Sequence, residues 1–232
     1  MSARIEGEQL ARLLIGYLFF YHLGVAAWLS DRPDFWDAAL EAARNETLSP
    51  LGGRWPRGTE RRHFRGQKAI NAIETLARRF TPTEMVEQLK LAGDLKAVIE
   101  TVNRWPMCGD WAAFKLADLM ERVARGPVTF PRDVCLLYRE PRSGLELVAQ
   151  RMGWLPTQAL AALERHFQRF LAPPTYDRTC GVQEIETILC KFKASLNGSY
   201  WTGRDIHEVR KALTGWGPTA AKMLVAIPAE VL

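Results

Sequence analysis

The stretch LTGWGPTAAKML, from Leu213 to Leu224, contains two glycines one residue apart, then a proline and a run with helical periodicity. Glycines let a turn approach a neighbouring chain closely, and proline is favoured in the first turn of a helix. The first N–H groups of such a helix lack intrahelical partners, which suits them to a phosphate. The stretch therefore predicts either a grip on a nucleic acid backbone or a tight corner between packed helices.

A weaker copy of this pattern lies upstream, in MCGDWAAFKLADL from Met107 to Leu119. In both copies an alanine follows the last turn glycine, Gly109 or Gly217, by four residues. A small residue at that place lets two helices cross closely. The upstream copy has Met107 where the first glycine would stand. Two copies in one chain predict helix-hairpin-helix motifs that bind DNA, although the spacing alone leaves the corner interpretation open.

Composition favours a folded protein with an anionic partner. Hydrophobic residues make up 47% of the chain and charged residues 25%, which is typical of globular proteins and not of disordered ones. The 31 Lys and Arg against 26 Asp and Glu give a net charge of +5, which mildly supports a nucleic acid partner. The four cysteines are too scattered for a metal knuckle or an iron–sulfur run, so we expect reduced thiols, no metal and no organic cofactor.

Hydrophobic periodicity predicts an all-α protein. Spacings near 3.6 residues dominate, and alternating strand-like runs are nearly absent. The apolar stretch Leu13 to Leu29 has 17 residues and includes His22, so we expect a core helix within residues 4–29 and no membrane partner. The further helices are expected near residues 34–44, 66–79, 83–90, 94–103, 110–124, 132–139, 143–151, 156–169, 181–195, 205–213 and 218–226.

The segment GPVTFPRD, from Gly126 to Asp133, resembles the part of helix-hairpin-helix DNA glycosylases that ends in their catalytic aspartate. The step from glycine to aspartate is seven residues in both. The lysine nucleophile of some glycosylases has no clear counterpart here. This resemblance implies a two-lobed, glycosylase-like unit over residues 1–232, with a central hairpin lobe at 60–150 and a second lobe from 1–45 and 151–232.

Three stretches carry a closer resemblance: RHFRGQK at 62–68, MCGDWAAFKLAD at 107–118, and EIETILCKFK at 184–193, which LNGSY and GRDI follow. They are similar to bacteriophage amino acid:DNA transferases, which are related to the α-glutamyl/putrescinyl-thymine pyrophosphorylases of thymidine hypermodification. The resemblance implies that the amine of a free amino acid, expected to be glycine, displaces pyrophosphate from 5-pyrophosphoryloxymethyl-uracil in DNA. It also implies action in the cytoplasm of the host cell.

Such a reaction needs positive charge for the departing pyrophosphate, a base for the proton of the amine, and an aromatic surface for an extruded base. The residues expected to bind pyrophosphate or the DNA backbone are Arg62, His63, Arg65, Gly66, Lys68, Gly109, Lys115, Lys191, Lys193, Gly215, Gly217 and Lys222. The residues expected in catalysis are Asp133, Asp118, Glu186 and Cys190. The residues expected to stack on the base are Trp111, Tyr200 and Trp201.

Several of these assignments have a structural alternative. Asp133 also stands where a helix N-cap would stand. Asp118 could form a surface ion pair with Lys115, three residues earlier on the same helix face. Cys190 could add to uracil C6, or it could be a small buried hydrophobe. For the whole chain, the alternatives are a DNA glycosylase of the same fold and a DNA-binding module without enzymatic activity.

Overall fold

The computed structural model describes residues 5–174 and 176–229, and it confirms the all-α prediction. These ranges contain thirteen α-helices, a 3-10 turn at Thr59–Arg61, and no β-strand. The helices are α1 Gly7–Phe20, α2 Leu23–Ser30, α3 Phe35–Arg44, α4 Gly66–Ala77, α5 Pro82–Leu91, α6 Leu95–Val102, α7 Asp110–Arg122, α8 Val134–Leu137, α9 Arg139–Met152, α10 Pro156–Phe167, α11 Val182–Leu196, α12 Arg204–Leu213 and α13 Pro218–Ala226.

The predicted first helix is two helices. Tyr21 takes a left-handed backbone conformation with φ of 47° and ends α1 by donating its N–H to the Tyr17 carbonyl at 2.7 Å. His22 then caps α2, because its Nδ1 accepts a hydrogen bond from the Val25 N–H at 3.3 Å. Most apolar side chains of both helices are buried in the core, as expected. Within the described ranges, no helix is long and apolar enough to cross a bilayer.

The helices pack in two groups. In the first group, which we call the main group, α1 packs on α2 and α5, α3 on α4, and α6 on α7, while α12 and α13 pack on α2. In the second, the α8–α11 group, α9 packs on α10 and α11, and α8 packs on α9 and α11. The division into lobes at residue 150 stays a prediction, and α9 runs across that residue and packs on the two long helices that follow it, α10 and α11. Side chains of α7 and α11 meet between the groups.

The hairpin between α12 and α13 is packed into the main group. Trp216 is 2% exposed, and its ring lies 5.5 Å from that of His22 and 6.1 Å from that of Trp55. Gly24 of α2 makes this packing possible, because a Cβ there would collide with the Trp216 ring and the Ala212 carbonyl. The large aromatic between the two glycines therefore anchors the C-terminal helices to α2.

Candidate active site

One face of α7 presents four of the side chains that line the candidate site. Trp111, Lys115, Asp118 and Arg122 follow one another at steps of four, three and four residues, which places them on one side of a helix. The opposite side is buried and built from small and apolar residues, including Ala113 and Leu116. The core therefore fixes α7 and leaves its polar stripe facing the α8–α11 group.

Helix α11 turns Glu186 and Cys190, four residues apart, toward this stripe. Glu186 is 6% exposed, and burial raises the pKa of its carboxyl, while the charge of Lys115 opposes the rise and that of Asp118 adds to it. Burial, followed by the charge of Glu186, also raises the pKa of the Cys190 thiol, and Lys115 again opposes. The structure thus brings together Lys115, Asp118, Glu186 and Cys190.

Glu186 stands out among these groups by its lack of a cation at ion-pair distance. Thr187 Oγ1 donates a hydrogen bond to Glu186 Oε2 at 3.2 Å, and the described residues place no Lys or Arg nitrogen within 4 Å of it. A buried carboxylate without a paired cation is costly, and it gains from a ligand that brings a proton or a positive charge. Glu186 is therefore the carboxylate of this site most suited to accept a proton.

Asp118 is paired differently from the sequence-based alternative. Its Oδ1 lies 2.6 Å from Arg122 Nε, one turn further along α7, so its ion pair is with Arg122 rather than with Lys115. Burial raises the pKa of Asp118, and the charges of Arg122 and Lys115 oppose that rise. Asp118 and Glu186 are therefore two partly or fully buried carboxylates that share one neighbouring lysine.

A network of two arginines and two glutamates closes one end of the site. Arg178 makes paired hydrogen bonds to Glu121 at 2.6 and 2.7 Å and also binds Glu184 at 2.9 Å. Glu184, only 6% exposed, further contacts Arg122 Nη2 at 3.0 Å and accepts the Gly181 N–H at 2.6 Å. The sequence analysis missed this network, because Arg178 lies in a loop 57 residues from its partner on α7.

Aromatic rings close the opposite end. The Tyr21 ring lies 5.0 Å from Trp111 in an edge-on arrangement and 4.6 Å from Tyr17 in a stack. Burial, followed by Tyr17, raises the pKa of Tyr21, and the charges of Glu60 and Asp118 add to the rise. We name Tyr17, Tyr21 and Trp111 the aromatic wall. Sequence analysis found only Trp111 and placed both tyrosines in the core; their i, i+4 spacing in an apolar run was the available signal.

The other expected stacking residues lie on the segment between α11 and α12. Lys191 Nζ sits 4.4 Å from the centre of the Tyr200 ring and contacts Asp205 Oδ1 at 2.8 Å, while the Tyr200 hydroxyl donates to Asp205 Oδ2 at 3.3 Å. Trp201 is 55% exposed. Burial raises the pKa of Tyr17 in the aromatic wall to about 12, and the charge of Asp205 adds to that rise.

The basic stretch before α4 is exposed and fixed to the upstream hairpin. The side chains of Arg62, His63, Arg65 and Lys68 all face solvent. Arg61 is instead buried, with Nη1 donating to the Met107 carbonyl at 2.9 Å and its guanidinium 4.5 Å from the Phe64 ring. Gly58, just before it, packs so closely on Tyr21 that a Cβ would collide with the Tyr21 carbonyl oxygen. The stretch therefore runs from the aromatic wall past the hairpin turn.

The two hairpins share a backbone path but differ at the helix start. Met107, with φ of 60°, takes the left-handed conformation that Gly215 takes with φ of 83°. At the upstream hairpin, a Cβ on Gly109 would meet no described atom within 4 Å, and no described side chain caps α7. The N-terminus of α7 is therefore open.

We name the hairpin between α12 and α13 the closing hairpin. Here the carboxylate of Asp31 occupies the place at the start of α13 where an anion would bind. Asp31 Oδ2 accepts the Thr219 N–H at 3.2 Å, and Asp31 Oδ1 accepts the Thr219 hydroxyl at 2.6 Å and the Gln9 amide at 3.1 Å. Gly217 precedes this turn, and a Cβ there would lie 3.4 Å from Asp31 Oδ2. This geometry favours the corner interpretation for Gly215 and Gly217; Lys222 is exposed on α13.

The remaining expected residues lie on the α8–α11 group and at the start of α4. Asp133 is exposed at the start of α8, and its side chain makes no capping hydrogen bond to a described residue. Gly66 begins α4 with φ of 63° and open space around its Cα. Lys193 pairs with Glu140 at 2.6 Å. Lys191 and Lys193 thus already have carboxylate partners, whereas Arg62, Arg65 and Lys68 are in no ion pair with a described residue.

Comparisons with known proteins match the chain to one family and to relatives from bacteriophages. A family model described as "Amino acid:DNA transferase" matches residues 12–199, which include the basic stretch, α7 and α11. The chain is similar to a glycinyltransferase of Pseudomonas phage PaMx11, with 33% identity over 250 aligned positions that cover 95% of this chain and 86% of that protein. It is also similar to a putrescinyltransferase of Delftia phage PhiW-14, with 28% identity over 228 positions that cover 90% of this chain and 69% of that protein.

Proposed function

Because the chain belongs to the amino acid:DNA transferase family, as the three stretches predicted, we propose that it attaches glycine to pyrophosphorylated 5-hydroxymethyl-uracil in DNA. It is a transferase whose substrates are DNA and an amine. The 33% identical relative is named a glycinyltransferase, which supports glycine as the amino acid. The observation that carries the proposal is the convergence of Lys115, Asp118 and Glu186 between α7 and α11.

The proposed chemistry uses each of these groups once. The ammonium group of the amino acid gives one proton to Glu186, which frees the nitrogen lone pair; the nitrogen then forms a bond to the exocyclic methylene as the methylene–oxygen bond to pyrophosphate breaks. Lys115 stabilises the negative charge that develops on the departing pyrophosphate. Asp118 attracts and orients the incoming ammonium. Burial of this centre keeps water from the methylene, which would otherwise be hydrolysed.

DNA would approach along the basic stretch and the open start of α7. Arg62, His63, Arg65 and Lys68 present exposed cations or polar groups to phosphates, and the α7 N–H groups beside Gly109 suit a further phosphate. A base inside a duplex must leave the stack to reach Glu186. The aromatic wall supplies rings on which such a base can stack.

One assay tests the proposal against its two alternatives. The protein is incubated with DNA that carries the pyrophosphorylated base and with a mixture of amino acids, and the digested nucleosides are analysed by mass spectrometry. A glycine adduct is the expected product. An abasic site would indicate a glycosylase, and DNA that is bound but unchanged would indicate a binding module.

A further inference from the structure

A small polar cavity of about 200 Å³ lies beside the C-terminal end of α7. Its polar lining comes from Glu121, Arg122, Arg125, Asp177 and Arg178, and Gly126 and residues 172–174 complete its wall. Arg122 lines this cavity and also contacts Asp118 Oδ1 at 2.6 Å. One guanidinium therefore joins the cavity to the carboxylates of the candidate active site.

Arg125 is the lining cation with the most freedom to bind a ligand. Arg178 already binds Glu121 and Glu184 through all three of its nitrogens. Arg125 contacts Asp177 at a longer distance of 3.5 Å, and its side chain is 64% exposed. Arg125 also holds a left-handed backbone conformation with φ of 55°, which is uncommon for a residue other than glycine.

The ion pair between Asp118 and Arg122 lacks a well-directed hydrogen bond. Asp118 Oδ1 and Arg122 Nε are both inaccessible to solvent, and neither makes a well-directed hydrogen bond to a described residue although they lie 2.6 Å apart. Buried polar atoms normally have hydrogen-bond partners. Because these two atoms are shielded from solvent, a ligand in the cavity meets Arg122 at the part of its side chain that lines the cavity, and the pair with Asp118 holds that side chain in place.

We propose that this cavity binds the carboxylate of the amino acid that donates the amine, with Arg125 and Arg122 as its cationic partners. This inference rests on the proposed function and adds the site from which the second substrate reacts. Bound there, the amino acid would lie one helical turn from Asp118 along α7, because Arg122 lines the cavity and is paired with Asp118. The interleaved arginines and carboxylates suit a small zwitterion, whereas a polyanion such as pyrophosphate would meet Glu121 and Asp177.

The test compares glycine with glycinamide, which keeps the amine and lacks the carboxylate. The KM for each amine is measured on the modified DNA with the wild-type protein, with Arg125→Gln, and with Arg78→Gln as the control. Arg78 is a matched exposed arginine directly after α4, with a side chain that is 78% exposed. We expect Arg125→Gln to raise the KM for glycine roughly 10-fold or more, since a charge-assisted hydrogen bond is lost.

The same change should leave the KM for glycinamide and for DNA as in the control, so that the preference for glycine collapses. An unchanged glycine KM, or an equal rise for both amines, would overturn the proposal. Relief of inhibition by inorganic pyrophosphate in Arg125→Gln would also overturn it, because the cavity would then bind the leaving group.

A second measurement separates this proposal from the proposed function. Radiolabelled glycine is dialysed to equilibrium against each protein with unmodified DNA, so that no transfer is required. Retention by the wild type and by Arg78→Gln, with loss in Arg125→Gln, supports the cavity even if no adduct forms in the transfer assay. Equal retention by all three proteins, or none by the wild type, rejects the cavity even if adducts form.

Discussion

At the residue scale, Glu186 is the side chain on which the proposed chemistry depends most. We expect Glu186→Gln to lower kcat roughly 10²- to 10⁴-fold, because a general base contributes a factor of that size. The amide fits the same space, so the Kd for modified DNA should stay within about two-fold of the wild-type value. Full turnover by this variant would assign the proton transfer to another group.

The pH dependence follows from the direction of the Glu186 pKa shift. Burial raises the pKa of this carboxyl in the folded protein, so the rate should fall with acidity at a higher pH than for an exposed glutamate. The raised pKa contributes stability below the unfolded-state pKa, and that contribution is lost as pH rises through the folded-state value. Glu186→Gln should therefore have a Tm at pH 8 equal to or above that of the wild type, with the difference shrinking toward pH 4. A lower Tm at pH 8 would show that a partner stabilises the charge.

Cys190 tests whether the reaction passes through a covalent intermediate. Burial and the nearby Glu186 carboxylate raise the pKa of this thiol, which disfavours the thiolate that would attack uracil C6. We expect Cys190→Ser to retain activity within about three-fold, since serine at this place keeps the volume and only the nucleophile is lost. A loss of turnover at unchanged Tm would instead support covalent addition.

The position of an individual residue in the site could be predicted where helical spacing alone puts it on a shared face. Lys115 and Asp118, or Glu186 and Cys190, share a helix face by spacing alone, and the structure turns both faces toward each other. The ion pair between Arg122 and the buried Glu184 could not be predicted, because it depends on how α7 packs against α11. Residues whose neighbours come from distant parts of the chain cannot be assigned from local periodicity.

At the scale of elements, the two hairpins should behave in opposite ways. Asp31→Ala removes the carboxylate that caps α13 and should cost about 1–2 kcal/mol, which corresponds to a Tm lower by about 2–8 °C for a chain of this size. Its affinity for DNA should not change. Gly109→Ala should keep the Tm within about 2 °C, because the added Cβ meets open space, and should weaken DNA binding by obstructing the backbone of the nucleic acid.

Thermal melts and fluorescence anisotropy with a labelled duplex check both variants side by side. Weaker DNA binding by a folded Asp31→Ala protein would show that the closing hairpin binds the DNA backbone. Normal binding by Gly109→Ala would remove the upstream hairpin from the DNA surface.

Most helices were predictable, and the break between α1 and α2 shows why one was not. Periodicity, capping residues and prolines located the other helices to within a few residues, as at Thr81 and Pro82 before α5. Tyr21 and His22 carry no glycine or proline to mark a helix end. Tyr21 holds its left-handed conformation because Gly58 and Trp111 pack around it. Tertiary contacts from two distant segments therefore set this boundary.

At the scale of the whole molecule, the net charge of +5 does not say which surface meets DNA. Lys191 and Lys193 of α11 are paired with Asp205 and Glu140. The arginines at the C-terminal end of α7 are paired with Glu121 and Glu184. The exposed cations before α4 stay available for phosphates. Long-range attraction to DNA should therefore act at the face that also holds the open start of α7.

The salt dependence of DNA binding measures this directly. Each phosphate contact contributes about 0.9 to the slope of log Kd against log salt concentration on duplex DNA, because bound counterions are released. Arg65→Ala should weaken binding and reduce that slope by about 0.9, whereas Arg78→Ala, at the other end of α4, should change neither. Unmodified duplex suffices, so the result does not depend on catalysis. If both variants bind with the wild-type slope, the DNA path does not follow the basic stretch, and the cations of α12 and α13 become the surface to examine.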